Sequence, residues 1–417
     1  MINKWIYSEL TEEQNAIKND LANELSISPI LAQLLVQRDI TTYDDARSFF
    51  RPDLGDLHDP FLMKDMDKAV ERLTRAMQKN EKILVYGDYD VDGTTSVSLV
   101  YKFLLQFYSN IDFYIPDRYN EGYGISVKGI NHAAQNDFKL VIALDCGIKA
   151  VEKVKYATSL GVDFIICDHH NPDDVLPAAI AVLDAKREDC NYPYKHLSGC
   201  GVGFKLMQAF AIVNEIDFQN LIPLLDLVAL SIASDIVPIT GENRILAFYG
   251  IKQINTNPST GIKAILEVCG LKDKEISISD IVFKIGPRIN ASGRMKLATE
   301  AVELLVARDY GFAYKRSSTI NVYNNDRKDL DKSITDEAIA MIRADQSYVD
   351  RKSIVVYKPD WHKGVIGIVA SRLSEEYYKP TIVLTKSNGF ASGSARSVSG
   401  FDRYKAIETC RDLLENF

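Results

Sequence analysis

The sequence predicts an α/β protein of two unequal domains. A larger domain built on a parallel sheet is joined by a long helix to a smaller α/β domain. Three observations predict it. Five short apolar runs alternate with helix-prone stretches between 82 and 184, the pattern of a parallel sheet covered on both faces. Charged, helix-prone sequence without strand signals fills 298–347. A second, shorter strand–helix–strand pattern then begins at 352.

The elements follow in order. Residues 1–75 read as a polar, helical N-terminal segment, with apolar spacing in "SPILAQLLVQRDITTYDDARSFF". Residues 76–297 form the larger domain, with strands in "KILVY" (82–86), "IDFYIP" (111–116), "KLVIALD" (139–145), "DFIICD" (163–168) and "AIAVLD" (179–184). A mostly helical stretch follows, containing "LLDLVALSIASDIVPI" (224–239). Residues 298–350 are expected as a solvated connecting helix. The smaller domain, 351–417, has strands in "KSIVVY" (352–357) and "PTIVLT" (380–385) around a helix in "GVIGIVASRLSEEYY", and the sequence stops before that domain looks complete.

Composition excludes several classes. With 46% hydrophobic and 25% charged residues, the 417-residue chain is ordinary for a globular protein. It holds no apolar run of about 18 residues, so no membrane span is expected. The start, "MINKWIYSEL", lacks the apolar core of a signal peptide. None of the six cysteines has C-x-x-C spacing, which argues against a disulfide framework or a cysteine zinc site. A cytoplasmic protein without a membrane partner is expected. The net charge of −8 argues against a module that coats DNA by charge alone.

The chemistry starts in "ILVYGDYDVDGTTS" (83–96), where a buried strand runs into Asp88, Asp90 and Asp92. In extended chain, alternate residues share a side, so these carboxylates repel. A divalent cation is the economical remedy at neutral pH. A calcium loop is rejected because its twelfth position is Leu99, where a bidentate glutamate is required. "DVDGT" also resembles the aspartate-nucleophile motif of haloacid-dehalogenase-type phosphatases, but Gly87, Asp88 and Tyr89 separate the strand from its first aspartate.

Successive strand ends repeat the feature. The third strand ends in Asp145, and the fourth in Asp168, His169 and His170. Ligands of open parallel sheets bind at such carboxyl ends. Asp235, in a strongly apolar setting, is a further donor. Oxygen ligands with one or two imidazoles suit Mn²⁺ or Mg²⁺, with Zn²⁺ or Fe possible. The donors are too many for one ion, and two ions about 3.5–4 Å apart are the usual arrangement for phosphoryl hydrolysis.

"DYDVDG", "ALDCG", "DHH" and "SIASDIVP", in this order, resemble the DHH phosphoesterase superfamily. "DLHDPFLMKDMDKAVERL" (56–73), "GPRINASGRM" (286–295) and "HKGVIGIVASRL" (362–373) narrow the resemblance to the RecJ family of single-strand-specific 5′→3′ DNA exonucleases. The resemblance implies a DHH catalytic domain, a connecting helix and a DHHA1-type substrate-binding domain, with the active site in the cleft between them. It implies one ion on Asp90 and Asp145, helped by Asp88. The other ion would take Asp92, Asp145, His169 and Asp235, with Asp145 bridging. His170 would face the scissile phosphate, with Asp168 orienting a ligand. Mn²⁺ is the favoured cofactor and Mg²⁺ the second. The substrate would be single-stranded DNA with a 5′ end, cut to 5′-mononucleotides in DNA repair and recombination. Single-strand-binding protein and a RecQ-type helicase are the implied protein partners.

The Gly- and Ser-rich stretch "GFASGSARSVSGFD" (389–402), with Ser394 and Arg396, suits a phosphate and matches the DHHA1 substrate motif. His362 would support it. Arg118, Arg288, Asn290 and Arg294 are further candidates to clamp phosphates. "SGCGVGFK" (198–205) reads as a helix start, and Cys146 and Cys167 as small buried residues. Two features depart from the family pattern. Tyr86 stands where some DHH phosphatases carry a histidine. RecJ proteins continue into a Gly-Gly-His motif and an OB-type domain, whereas this sequence ends at "RDLLENF", so an incomplete chain or catalytic core is expected. Within the superfamily the alternative substrates are short oligonucleotides or cyclic dinucleotides. A non-catalytic nucleic-acid-binding scaffold is a third reading, against which the intact Asp and His set argues.

Overall fold

The computed structural model describes residues 7–387 and 389–415. The larger domain is built on five strands, β1 (Lys82–Gly87), β2 (Ile111–Tyr114), β3 (Phe138–Leu144), β4 (Asp163–Cys167) and β5 (Ala181–Leu183). They pair in the order β2-β1-β3-β4-β5, and every pairing is parallel. Both faces are covered, which is why the strands read as unbroken apolar runs. Ile83 and Val85 point into a core shared with the Met66–Gln78, Val91–Leu104, Gly199–Val213 and Leu225–Asp235 helices. Leu84 and Tyr86 point the other way, toward the Val127–Gln135 and Val151–Ser159 helices. The strand order reverses between β1 and β3, and such a switch point opens a crevice at the carboxyl ends of the two strands.

The smaller sheet is mixed. β6 (Ile354–Tyr357) runs parallel to β7 (Thr381–Ser387), which runs antiparallel to β8 (Phe390–Arg396). The first part of the Gly- and Ser-rich stretch is therefore an edge strand, with Ser394 opposite Val383 and Arg396 opposite Thr381. Its small residues lack the apolar signal by which a strand is recognised, but they extend without steric cost.

Residues 298–350 are not one solvated helix. A Thr299–Val306 helix breaks at Ala307, and Asp309 then caps the 35-residue Tyr310–Ala344 helix by accepting the Phe312 N–H at 2.7 Å. That long helix carries a buried stripe. Ala313 and Ile320 enter the core of the larger domain, whereas Ile334, Ala338 and Ile342 enter that of the smaller. Ser317, Asn324 and Asp331 are buried in the same stripe, and these polar residues conceal it in the sequence.

The N-terminal segment forms the Glu12–Glu24, Pro29–Val36 and Tyr43–Phe50 helices, with small apolar clusters of their own. Several polar contacts tie it to the larger domain. Arg244 donates to the Phe49 carbonyl oxygen. Buried Glu242 accepts from the His58 N–H at 3.0 Å, Tyr192 at 2.6 Å and Lys205 at 3.1 Å. Among the described residues no helix is long and apolar enough to cross a membrane.

Candidate metal centre

Each acidic donor owes its place to the element it ends. Asp88 follows β1 directly and is fully buried. Asp90 caps the Val91–Leu104 helix, its carboxylate accepting the Gly93 N–H at 3.0 Å. Asp92 lies in the first turn of that helix, where the aligned peptide dipoles favour an anion. Asp145 leaves β3 in the left-handed region, with φ 56°. Asp235 is the last residue of the Leu225–Asp235 helix, and exposed Ile236 behind it also takes left-handed backbone, with φ 60°.

Asp92 is held tightly. One oxygen accepts from Gly199 N–H at 2.7 Å, and the other from Cys200 N–H at 2.8 Å and Ser231 at 2.7 Å. The "SGCGVG" stretch is indeed a helix start, and its N–H groups serve a carboxylate. Gly199 is required there, since a Cβ would lie 2.7 Å from an oxygen of Asp145. Asp92, Asp145 and Asp235 converge on one nitrogen. His169 Nε2 lies 3.1 Å from Asp145 Oδ1 and 3.6 Å from both Asp92 Oδ2 and Asp235 Oδ2. One atom each from Asp145, His169 and His170, and one each from Asp92, His169 and Asp235, gather within 4.8 Å of one another.

The electrostatics are those of a site built for cations. Burial, with neighbouring carboxylates adding to it, pushes Asp88 up to about 8 and Asp235 up to about 7. The same causes raise Asp145 well above the usual carboxylate range. Burial pulls His169 down, leaving a neutral ring. Asp88 Oδ2, Asp145 Oδ1 and both ring nitrogens of His169 are buried with no hydrogen-bond partner. Such orphaned acceptors are costly. Hard oxygen donors around an imidazole fit Mn²⁺ or Mg²⁺.

Asp168 plays a different part. One oxygen accepts from His169 N–H at 2.7 Å, His170 N–H at 3.1 Å and His170 Nδ1 at 2.7 Å, and the other from Ile148 N–H at 2.9 Å. Burial opposes its charge, but the His170 imidazole and these N–H groups outweigh that and hold its carboxyl low. The bond to Asp168 in turn raises His170. His170 Nε2 lies 3.2 Å from the Tyr123 hydroxyl, a neighbour sequence reasoning missed.

The phosphate candidates divide. Loss of water around its guanidinium, with the charges of Arg118, Arg327 and Arg396 adding to it, pushes half-buried Arg294 down to about 10. Arg118 sits over the Tyr89 ring at 5.0 Å. Arg396 donates to Ser371 at 3.0 Å, Ser394 at 3.1 Å and the Ala395 carbonyl at 2.8 Å. His362 packs on Tyr119 and accepts the Gly364 N–H, while Arg294 donates to the Gly364 carbonyl at 3.2 Å. Arg327 was missed: Asn324 and buried Asp331, each about one turn from it on the long helix and on opposite sides, hold it, and that spacing is the one signal the sequence carried. Two candidates stand elsewhere. Arg288 is spent on Asn321 at 2.8 Å and the Lys284 carbonyl at 2.6 Å, tying two helices together. The Asn290 side-chain oxygen accepts the Val91 N–H at 3.1 Å, so it secures the start of the helix that carries Asp90 and Asp92.

Two family models match the chain: the DHH family, N-terminal domain, over residues 82–232, and the DHHA1 domain over 350–416. The single-stranded-DNA-specific exonuclease RecJ of Bacillus subtilis is 40% identical over 97% of this chain and 51% of its own length. RecJ of Salmonella typhimurium is 34% identical over 92% of this chain and 68% of its own. The crystal structure of Thermus thermophilus RecJ with Mn²⁺ superimposes with a TM-score of 0.82 at 25% identity, covering 96% of this chain and 56% of that one. A second RecJ structure, bound to manganese, gives 0.75 at 27% identity over 87% and 89%. The chain thus spans about half the length of the Bacillus relative. Its matched domains, its sheet order and its likeness along nearly the whole chain make it a member of the RecJ family.

Proposed function

We propose that this chain hydrolyses single-stranded DNA from the 5′ end and releases 5′-mononucleotides. One observation carries the reading: buried, unpartnered acid and imidazole atoms converge where β1 and β3 end, beside a cluster of arginines. Asp88, Asp90 and Asp145 would hold one divalent cation, and Asp92, Asp145, His169 and Asp235 the other. Mn²⁺ is the first choice and Mg²⁺ the second, the ions found in solved RecJ relatives. When bound, two such ions supply a water acidic enough to attack near neutral pH and neutralise charge on the phosphate.

The protein's own groups do the rest. His170, whose protonated form the bond to Asp168 favours, donates from Nε2 to a phosphate oxygen or to the leaving 3′-oxygen. Asp168 fixes the ring and stays ionised. Arg294, Arg327, Arg396 and Ser394 bind the terminal 5′-phosphate, and Arg118 the next along the strand. A fixed distance between phosphate clamp and acid cluster sets the one-nucleotide step. The family reading also brings the cytoplasm as compartment, with single-strand-binding protein and a RecQ-type helicase as partners.

The test is digestion of a long oligonucleotide with Mn²⁺, labelled at the 5′ end in one sample and the 3′ end in another. Duplex and dinucleotide substrates run beside it, with Asp145→Ala as control. Early release of 5′-labelled mononucleotide from the single strand alone, lost in the variant, supports the proposal. Cleavage of dinucleotides but not long strands moves the protein to the small-substrate class. Strand binding without cleavage favours a scaffold.

A further inference from the structure

A cavity of about 510 Å³ lies away from the cleft, at the other end of two helices that reach the metal centre. The Val91–Leu104 helix bears Asp92 near its start and Lys102, on the cavity wall, in its last turn. At 1.5 Å per residue the two lie about 15 Å apart along its axis. The Leu225–Asp235 helix runs the opposite way: Leu224, at its start, lines the cavity, and Asp235, at its end, faces His169.

The lining is unusual in two respects. It holds two cations and no carboxylate. Lys102 donates to the Leu305 carbonyl at 3.3 Å and makes no ion pair among the described residues; the charge of buried Asp226 reaches it only from beyond ion-pair distance. Arg308 is exposed, and among the described residues it makes neither a hydrogen bond nor an ion pair. Its charge acts on both Lys102 and Tyr101, which places these three wall groups together. The second respect is the amides: Gln106, Gln219, Asn220, Gln253 and Asn257 share the wall. Carboxamides donate and accept in one plane, as nucleobase edges do.

We infer that this cavity binds a nucleoside monophosphate, with the phosphate between Lys102 and Arg308 and the base against Tyr101 and the amides. Inorganic phosphate would leave most of a cavity of this size to water, whereas a nucleotide falls in the range such pockets enclose. The ligand is of the class that the proposed reaction releases, so a role in sensing product rests on that reading. Binding itself does not.

The experiment is calorimetric titration of the full chain in EDTA, so that no result depends on cleavage, with 2′-deoxyadenosine 5′-monophosphate, deoxyadenosine and inorganic phosphate as separate probes. Arg396→Ala removes the phosphate contact of the cleft, and Arg308→Gln and Lys102→Gln those of the cavity. The expected result is a nucleotide site that persists in Arg396→Ala, where binding in the cleft is weakened, and whose affinity falls roughly tenfold or more when either cavity variant is added to that background. Arg308 is exposed, so its variant folds even where Lys102→Gln does not. The inference is overturned by unchanged affinity in Arg308→Gln, by loss of binding in Arg396→Ala, by inorganic phosphate binding as tightly as the nucleotide, or by no binding of the nucleotide at all.

Discussion

The acids at the sheet edge and the arginines beside them meet the same problem in opposite ways. Both are crowded like charges partly withdrawn from water. Asp92 is fully bonded, but Asp88 and Asp145 each keep a buried oxygen without a donor. The arginines are met mostly by neutral oxygens, Arg294 by a carbonyl and Arg396 by two hydroxyls and a carbonyl. Asp331 is the exception, bonding Arg372 at 2.7 Å and lying 3.7 Å from Arg327. Partnering of this kind holds a guanidinium in place without cancelling its charge. One region is therefore complete only with cations, while the other is assembled in advance and waits for an anion.

The comparison breaks most sharply at Asp145. Asp145→Ala should lower Mn²⁺-dependent hydrolysis on the order of a thousandfold or more in single-turnover assays. In EDTA Asp145→Asn, which keeps a side chain suited to the left-handed backbone there, should melt no lower than the parent, because it removes an acid that burial disfavours. A clear drop in the EDTA melting temperature would show that the acids are internally satisfied after all.

The arginine side responds differently. Arg396→Ala should weaken binding of 5′-phosphorylated single strands roughly tenfold to a hundredfold and reduce the salt slope by about one. Equal losses for 5′-hydroxyl strands would remove Arg396 from the terminal phosphate. Asn290→Ala should cost about tenfold in kcat with KM little changed, since Asn290 bonds Val91 and positions two acids. A change confined to KM would return it to the phosphate clamps.

A smaller effect concerns pH. Asp88 titrates near 8 and Asp235 near 7 in the folded chain, above the usual carboxylate range. The folded state therefore binds more protons than the unfolded one, and the metal-free fold loses stability as pH rises from about 4 to about 8. Mn²⁺ should raise the melting temperature by roughly 3 °C more at pH 8 than at pH 6, read by differential scanning fluorimetry. Least of all, Ser371→Ala should cost about 0.5–1.5 kcal/mol of strand binding by freeing one guanidinium nitrogen of Arg396.

The sheet and its acids were legible because parallel strands are apolar throughout, so a carboxylate at a strand end stands out. Asp92, Asp145, His169 and Asp235 are brought together as the strand ends suggested. The rest was hidden for local reasons. β8 is made of small polar residues and reads as a loop. The buried stripe of the long helix includes an aspartate and an asparagine, so its two-core packing looks like solvated surface. Arg288, Asn290 and Arg294 share one motif, yet only Arg294 joins the arginine cluster: Arg288 lies on another side of the helix, and Asn290, one turn from Arg294 on the same face, spends its side-chain oxygen on the Val91 N–H.

Ile236 carries a consequence of another kind. A β-branched residue with φ 60° and 82% exposure gains little from burial and bears a backbone cost of about 1–2 kcal/mol. A survey for thermostabilising substitutions would nominate this position first, with glycine as the obvious replacement. Yet Ile236 directly follows Asp235, and a glycine there would loosen the backbone that carries its carboxylate. Any gain in melting temperature from Ile236→Gly would come at the joint that aims Asp235, so an engineer seeking a hardier protein should begin elsewhere on the surface.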